Sequence, residues 1–422
     1  MIVLPTTAQR IARLPLLIRA HDCLDETGAF GLSYGQRVPF VFTRTGHAGL
    51  EDQRGVAARA AGGAVRVMPV LDNRGSRAPA IVLEEAGANL CGHPEQLGTA
   101  PWNAAGALTV TPAYAVAAGM SFNRVVNPAG GVLTYPITFT GDGVKSFRLA
   151  VRTDGVAGLA HALLWDATAT TSRGGVAVTI ASNGSVSAAA TGAAVILQKV
   201  PAADGVLRLL VQVPGVVAAN TNVFYASDSG STTVASFQVT GVQVEDRPTP
   251  TTYMYGAGGS VSRAAETCYL SYLKAVAALQ VFVAGVELGT NLGSTDTALF
   301  SLGGGGNPSL FVDGGAATYS LFHRRSGDDS SSVAGTTAFG DEVWLRGQIA
   351  GTGAVTLGQS VNRGTEEVAA PSPASGLAAA WDVPRFYLGS RSSVRGHFGF
   401  RAVCVAPPGL SRDALADFCE VG

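Results

Sequence analysis

In Ser146-Phe-Arg-Leu-Ala-Val-Arg-Thr153 a large apolar side chain recurs at every second position from 147 to 151. Phe147, Leu149 and Val151 fall on one side, and Arg148, Ala150 and Arg152 on the other. Successive side chains of an extended chain point to opposite faces, so this spacing predicts a strand with one buried and one wet face. A helix would set Phe147 and Leu149 on different faces and leave the pattern without use.

Outward from this strand, residues 101–247 hold further candidates at 108–111, 120–126, 133–139, 159–165, 176–180, 195–200, 206–213, 223–225 and 236–245. Such spacing, about 8–12 residues, belongs to a sandwich. The last candidate changes parity: Phe237 and Val239 keep one side, Val242 and Val244 the other. Gly241 between them predicts a β-bulge that absorbs the slip. Residues 248–266 contain Pro248, Pro250, Gly256, Gly258 and Gly259, a linker composition. Strand candidates then resume at 279–286, 298–302, 309–312, 319–324, 343–349, 355–359, 386–388 and 396–405. Ser411 is placed to cap a short helix over 413–420, with Asp413 near its positive end.

Towards the N-terminus, residues 1–34 read as an arm or first strands, since Pro15 breaks a helix there. Residues 35–100 read as a small β module for attachment, with strands near 38–43 and 64–70 and turns at Gly62-Gly63 and Asn73-Arg-Gly75. The expected organisation is all-β: this module, an antiparallel jelly-roll-like sandwich over 101–247, a linker over 248–266, and a lectin-like sandwich over 267–422 that ends in the one short helix.

The composition agrees. Hydrophobic residues make up 47% of the 422, charged residues 14%, and Gly contributes 54, which excludes disorder and favours strands and tight turns. A net charge of −1 gives no electrostatic reason to expect a nucleic-acid partner. The five cysteines are scattered without CxxC spacing, so they read as small buried hydrophobes. The N-terminus lacks the basic and apolar regions of a secretory signal, and no run reaches the ~18 apolar residues of a membrane span. Synthesis in the cytoplasm without membrane insertion is expected.

Chemistry-bearing patterns are sparse. The six histidines show no HxH or HxxxH pairing. Gly303-Gly-Gly-Gly306 leads into Asn307-Pro308 with no Lys-Ser/Thr and no helix, so it is a hairpin loop and not a phosphate cradle. Glu84-Glu85 and Glu366-Glu367 are adjacent and point to opposite faces, so neither pair can flank a glycosidic bond. No catalytic constellation and no cofactor is expected. Asp328 and Asp329 follow His323-Arg-Arg325 and read either as a solvated turn or as calcium ligands, although the regular Asp ladder is missing. Trp102, Trp165, Trp344, Trp381 and Tyr387 are either core anchors or sugar-stacking rings.

Three segments also carry a resemblance. They are Pro39-Phe-Val-Phe-Thr-Arg-Thr-Gly-His-Ala-Gly-Leu-Glu-Asp52; Pro79-Ala-Ile-Val-Leu-Glu-Glu-Ala-Gly-Ala-Asn-Leu-Cys91, leading to Trp102; and Gly241-Val-Gln-Val-Glu-Asp-Arg-Pro-Thr-Pro-Thr-Thr-Tyr253 with Gly259-Ser-Val-Ser-Arg-Ala-Ala-Glu266. In this order they resemble the modules of tailed-phage virion proteins, mostly tail-fibre, baseplate and minor tail components. The region after them is similar to carbohydrate-binding-module-like jelly rolls. The segment from Asp382 to Val405 is similar to the closing strands of concanavalin-A/laminin-G-like sandwiches. The resemblance implies a virion component of a tailed phage or phage-derived particle (a fibre, spike or baseplate-attached part). It would be a homotrimer, docked on other virion proteins through its N-terminal region and able to contact host-surface glycan. The glycan-site candidates are Asp328, Asp329, Asn307 and Tyr387, with loops 303–308 and 326–332 as the rim. The alternatives are a capsid decoration or head-fibre protein, a bacterial surface lectin module, and a glycan depolymerase, which lacks its acid cluster.

Overall fold

The computed structural model describes residues 16–419, apart from 25–29, 34–35, 45–47, 53, 61–64, 129, 229–231, 235, 256–260, 271–277, 290–296, 303–308, 314–317, 325–327, 335–336, 351–353, 372–384, 392–393 and 396. Asn307 and Trp381 therefore lie outside the described residues. The fold is nearly all antiparallel β with one short helix near the C-terminus, as expected. Two compact units share the chain. One comprises residues 1–45, 62–85 and 265–422, the other 46–61 and 86–264.

This division differs from the expected map, because residues 35–100 contribute to both units. Gln36–Thr43, Val67–Leu71 and Arg77–Leu83 are strands of the first unit, while Ala48–Glu51, Ala57–Ala60 and Gly87–Asn89 belong to the second. Strands so few and short cannot bury a core of their own, and they take partners far along the sequence instead. Gln36–Thr43 pairs with Thr267–Leu270, setting Phe42 opposite Cys268.

In the second unit, two six-stranded sheets enclose one core. The first runs Thr109–Ala117, Met120–Val126, Ser236–Glu245, Gly143–Thr153, Leu207–Val216, Val195–Pro201. The second runs Val186–Gly192, Thr171–Ile180, Gly158–Asp166, Asn222–Ser227, Val132–Ile137, Asn103–Ala105. Phe147, Leu149 and Val151 point between them, and Phe147 meets Phe224 edge to face at 5.2 Å. The bulge falls where expected. Gly241 has φ +62°, the pairing with Gly143–Thr153 slips there, and Phe237, Val239, Val242 and Val244 all enter the core despite their mixed parity.

The face expected to be wet is not. Arg148 and Arg208 are only 8% and 3% exposed. The hairpin of Ala48–Glu51 and Ala57–Ala60, with Tyr253 and Tyr255, covers that face, and Glu51 forms an ion pair with Arg208, Nη1 to carboxylate 2.6 Å. The expected linker is packed as well. Thr249, Thr251, Tyr253 and Met254 are buried, and Val261–Arg263 pairs with Gly87–Asn89.

In the first unit, one sheet runs Asp328–Ala334, Thr318–Arg324, Ser309–Asp313, Thr297–Leu302, Phe386–Leu388, Thr267–Leu270, Gln36–Thr43, Phe30–Ser33, Leu16–Arg19, Phe398–Ala406, Leu279–Glu287, Glu342–Ile349, Val355–Val361, Glu367–Val368. Its two halves share a single core, from Leu16, Phe42 and Phe386 to Leu345 and Leu357. Arg401 is a second bulge: Ala284 pairs with Ala402 and Gly285 with Phe400, so Arg401 is the extra residue. The helix Arg412–Cys419 covers the outer face at Leu17, Phe282 and Ala402. Ser411 Oγ accepts from Ala414 N at 3.1 Å, the expected cap. All five cysteines are buried and none forms a disulfide.

Candidate functional site

Thr267–Leu270 and Phe386–Leu388 lie side by side, and alternation settles where their rings go. Cys268, Leu270, Phe386 and Leu388 enter the core and are fully buried. Tyr269 and Tyr387, paired in register, therefore stand half-buried on the outer face. Their ring centroids are 5.4 Å apart with the planes inclined at 46°. Arg385, two residues before Tyr387 and exposed, lays its guanidinium 4.8 Å from the centre of the Tyr269 ring. Its Nη1 donates to Tyr387 Oη at 3.3 Å, a contact that raises the arginine pKa. Two tilted rings beside a planar cation offer an apolar surface to the CH face of a sugar, with guanidinium donors at its edge for hydroxyl or carboxylate oxygens.

The other site candidates do not join this patch. Asp328 and Asp329 begin the outermost strand, paired with Arg324 and His323. Three strands separate that strand from Phe386–Leu388, so at ~4.8 Å per strand step the two positions lie roughly 19 Å apart across the sheet. Among the described residues, no group of three or more His, Cys, Asp or Glu could hold a metal ion, and no helix is long and apolar enough to cross a membrane. Of the tryptophans, Trp102 and Trp344 are core anchors at 6% exposure each. Trp165 is half-buried on an outer face. Tyr269 and Arg385 escaped the sequence reading, although Arg385 stands two residues before Tyr387 and Tyr269 alternates with Cys268 and Leu270.

The segments that carried the phage resemblance are mostly structural clips. In the first unit, Glu266 accepts from Arg44 Nη1 at 2.9 Å, from Arg66 Nε at 2.9 Å and Nη2 at 2.7 Å, and from the backbone N–H of Glu84 at 3.0 Å. Arg66 also donates to Glu84 at 2.6 Å, and His397 Nε2 lies 3.0 Å from the same carboxylate. Burial alone would lower the Arg66 pKa, but Glu266 and then Glu84 outweigh it and raise it. In the second unit, Asn89 Oδ1 accepts from Cys91 N and Val244 N, and its Nδ2 donates to Val242 O, fastening the bulged strand. Buried Glu245 accepts from Gln243 Nε2 and Thr251 N, both at 2.6 Å, and Gln243 Oε1 accepts from Met254 N at 2.7 Å. Burial raises the Glu245 pKa against the pull of Arg247, Gln243, Thr251 and Arg263. No protein-family model and no curated protein matches the chain.

Proposed function

We propose that the chain is a structural component of the virion of a tailed phage or phage-derived particle, a fibre, spike or baseplate-attached part, with a non-enzymatic contact to host-surface glycan. The observation that carries this reading is the mutual dependence of the motif residues. Arg44, Glu84 and Glu266 come from the three resembling segments and meet in one buried cluster, while Asn89 grips the strand that holds Gln243 and Glu245. Residues kept for a shared architecture would show this pattern, and scattered chance matches would not. In this reading the protein self-associates as a homotrimer and docks on other virion proteins through its N-terminal region, and Tyr269, Tyr387 and Arg385 meet the glycan. Single shallow sites of this kind bind weakly and gain strength from multiple copies.

Mass spectrometry of purified particles, with immunogold labelling, tests the reading directly. The chain is expected at a defined place on the particle, and its absence from clean particles refutes the proposal. Sedimentation should give the mass of a trimer. Retention on host-surface polysaccharide should fall for Tyr387→Ala and Arg385→Ala, and incubation should leave the polysaccharide at full length.

A further inference from the structure

The two outer faces of the second unit are built differently. The face over Gly143–Thr153 and Leu207–Val216 is roofed by the hairpin and held with buried arginines. The outer face of the other sheet is open: among the described residues, Pro136, Ser172 and Thr179 on it are exposed. Ala160, Ala162 and Leu164 point into the core, so Leu163 and Trp165 must point outward.

Trp165 and Tyr225 stand here half-buried, edge to face with ring centroids 6.2 Å apart. Leu163 pairs with Tyr225 and fills the floor between the rings at 7% exposure. On one side Leu163 pairs with Gly175, where a Cβ would meet the Leu163 Cα at 2.5 Å, so the sheet stays low. On the other side Tyr225 pairs with Thr134, and Thr134 with Asn103, bringing a hydroxyl and an amide alongside the rings. The six strands carry only two ionised side chains, Asp166 and Arg173, and these bond to each other. Burial lowers the His161 pKa against the pull of Asp228, a carboxylate just past the end of the Asn222–Ser227 strand.

We propose that this face binds an uncharged polysaccharide chain, with Trp165 and Tyr225 stacking on sugar rings and Thr134 and Asn103 bonding to sugar hydroxyls. An apolar strip flanked by neutral donors and acceptors suits a ligand with apolar ring faces and hydroxyl edges, and offers nothing to a carboxylate or phosphate. A second copy of the chain is the poorer occupant. Leu163 is already buried and the rings half-buried, whereas a stable protein interface needs about 800 Å² from each partner. The site shares no residue with the Tyr269–Tyr387–Arg385 patch, so it stands or falls independently of the virion reading.

The test is affinity electrophoresis of the full chain through gels containing dextran, mannan or xylan, with alginate as the anionic probe. At least one neutral gel should retard the protein. Trp165→Ala and Tyr225→Ala should each weaken that retention by about tenfold or more, with thermal unfolding unchanged. Three results overturn the proposal: no retardation in any neutral gel, retention by Trp165→Ala equal to that of the unmodified protein, or a Trp165→Ala variant whose main defect is a smaller sedimenting species.

Discussion

Replacing Glu266 with alanine should be among the most damaging single changes in the first unit. Its carboxylate is fully buried and takes four hydrogen bonds, three from Arg44 and Arg66 and one from the backbone N–H of Glu84. With it present, the cluster balances two guanidinium groups against two carboxylates, Glu84 and Glu266. Without it, both guanidinium groups lose the carboxylate they share. Removing one partner of a buried pair costs about 3–5 kcal/mol, and the stranded Glu84 N–H adds about 1–3 kcal/mol. Water entering the space left by the side chain would recover part of this, so about 4 kcal/mol is the expected loss, a large share of the 5–15 kcal/mol typical of a folded domain. Hydrogen exchange by mass spectrometry is the suitable assay, since two units make a single unfolding midpoint ill-defined. Peptides covering Leu279–Glu287 should lose protection by close to three powers of ten. Glu266→Gln should fall between, because its amide nitrogen presents donors to the arginines. A loss below about 1 kcal/mol, the level of an exposed ion pair, would refute the idea that this cluster fastens segments 44, 66, 84 and 266 together.

Other outcomes are expected from the same structure. The backbone N–H of Ala169, then Asn220 and Arg173, lower the Asp166 pKa from its usual value to about 2. A depressed carboxyl pKa contributes stability above the unfolded value and loses it as pH falls, so Asp166 should support the fold at pH 5 and cease to do so between about pH 4 and 2; an NMR titration midpoint near 3.8 would contradict this. Gly241→Val should destabilise the second unit by about 2 kcal/mol in denaturant titration, since φ is +62° and a Cβ would meet Met120 Cε at 2.5 Å; a neutral effect would mean the bulge is not rigid. Ser411→Ala should cost about 1 kcal/mol by removing the cap on Ala414 N, read as faster exchange in the C-terminal helix.

Alternation along the chain was enough to find most strands, because a period of two is a local property and one buried face suffices to impose it. The same local logic located the bulge at Gly241 and the cap at Ser411. Val186–Gly192 and Asp328–Ala334 escaped because their Ala and Ser runs have no apolar rhythm; they are strands only through their pairing with Thr171–Ile180 and Thr318–Arg324. Tertiary structure alone decided which unit each strand of 35–100 enters, since partners such as Phe42 and Cys268 are remote in sequence and nothing local encodes the choice. It also decided the fate of the faces. Arg148 and Trp165 both alternate with core residues, yet a hairpin from residues 48–60 buries the arginine while the tryptophan stays half-buried on its outer face. Parity tells which side of a strand a residue takes, and only the folded chain supplies what lies over that side.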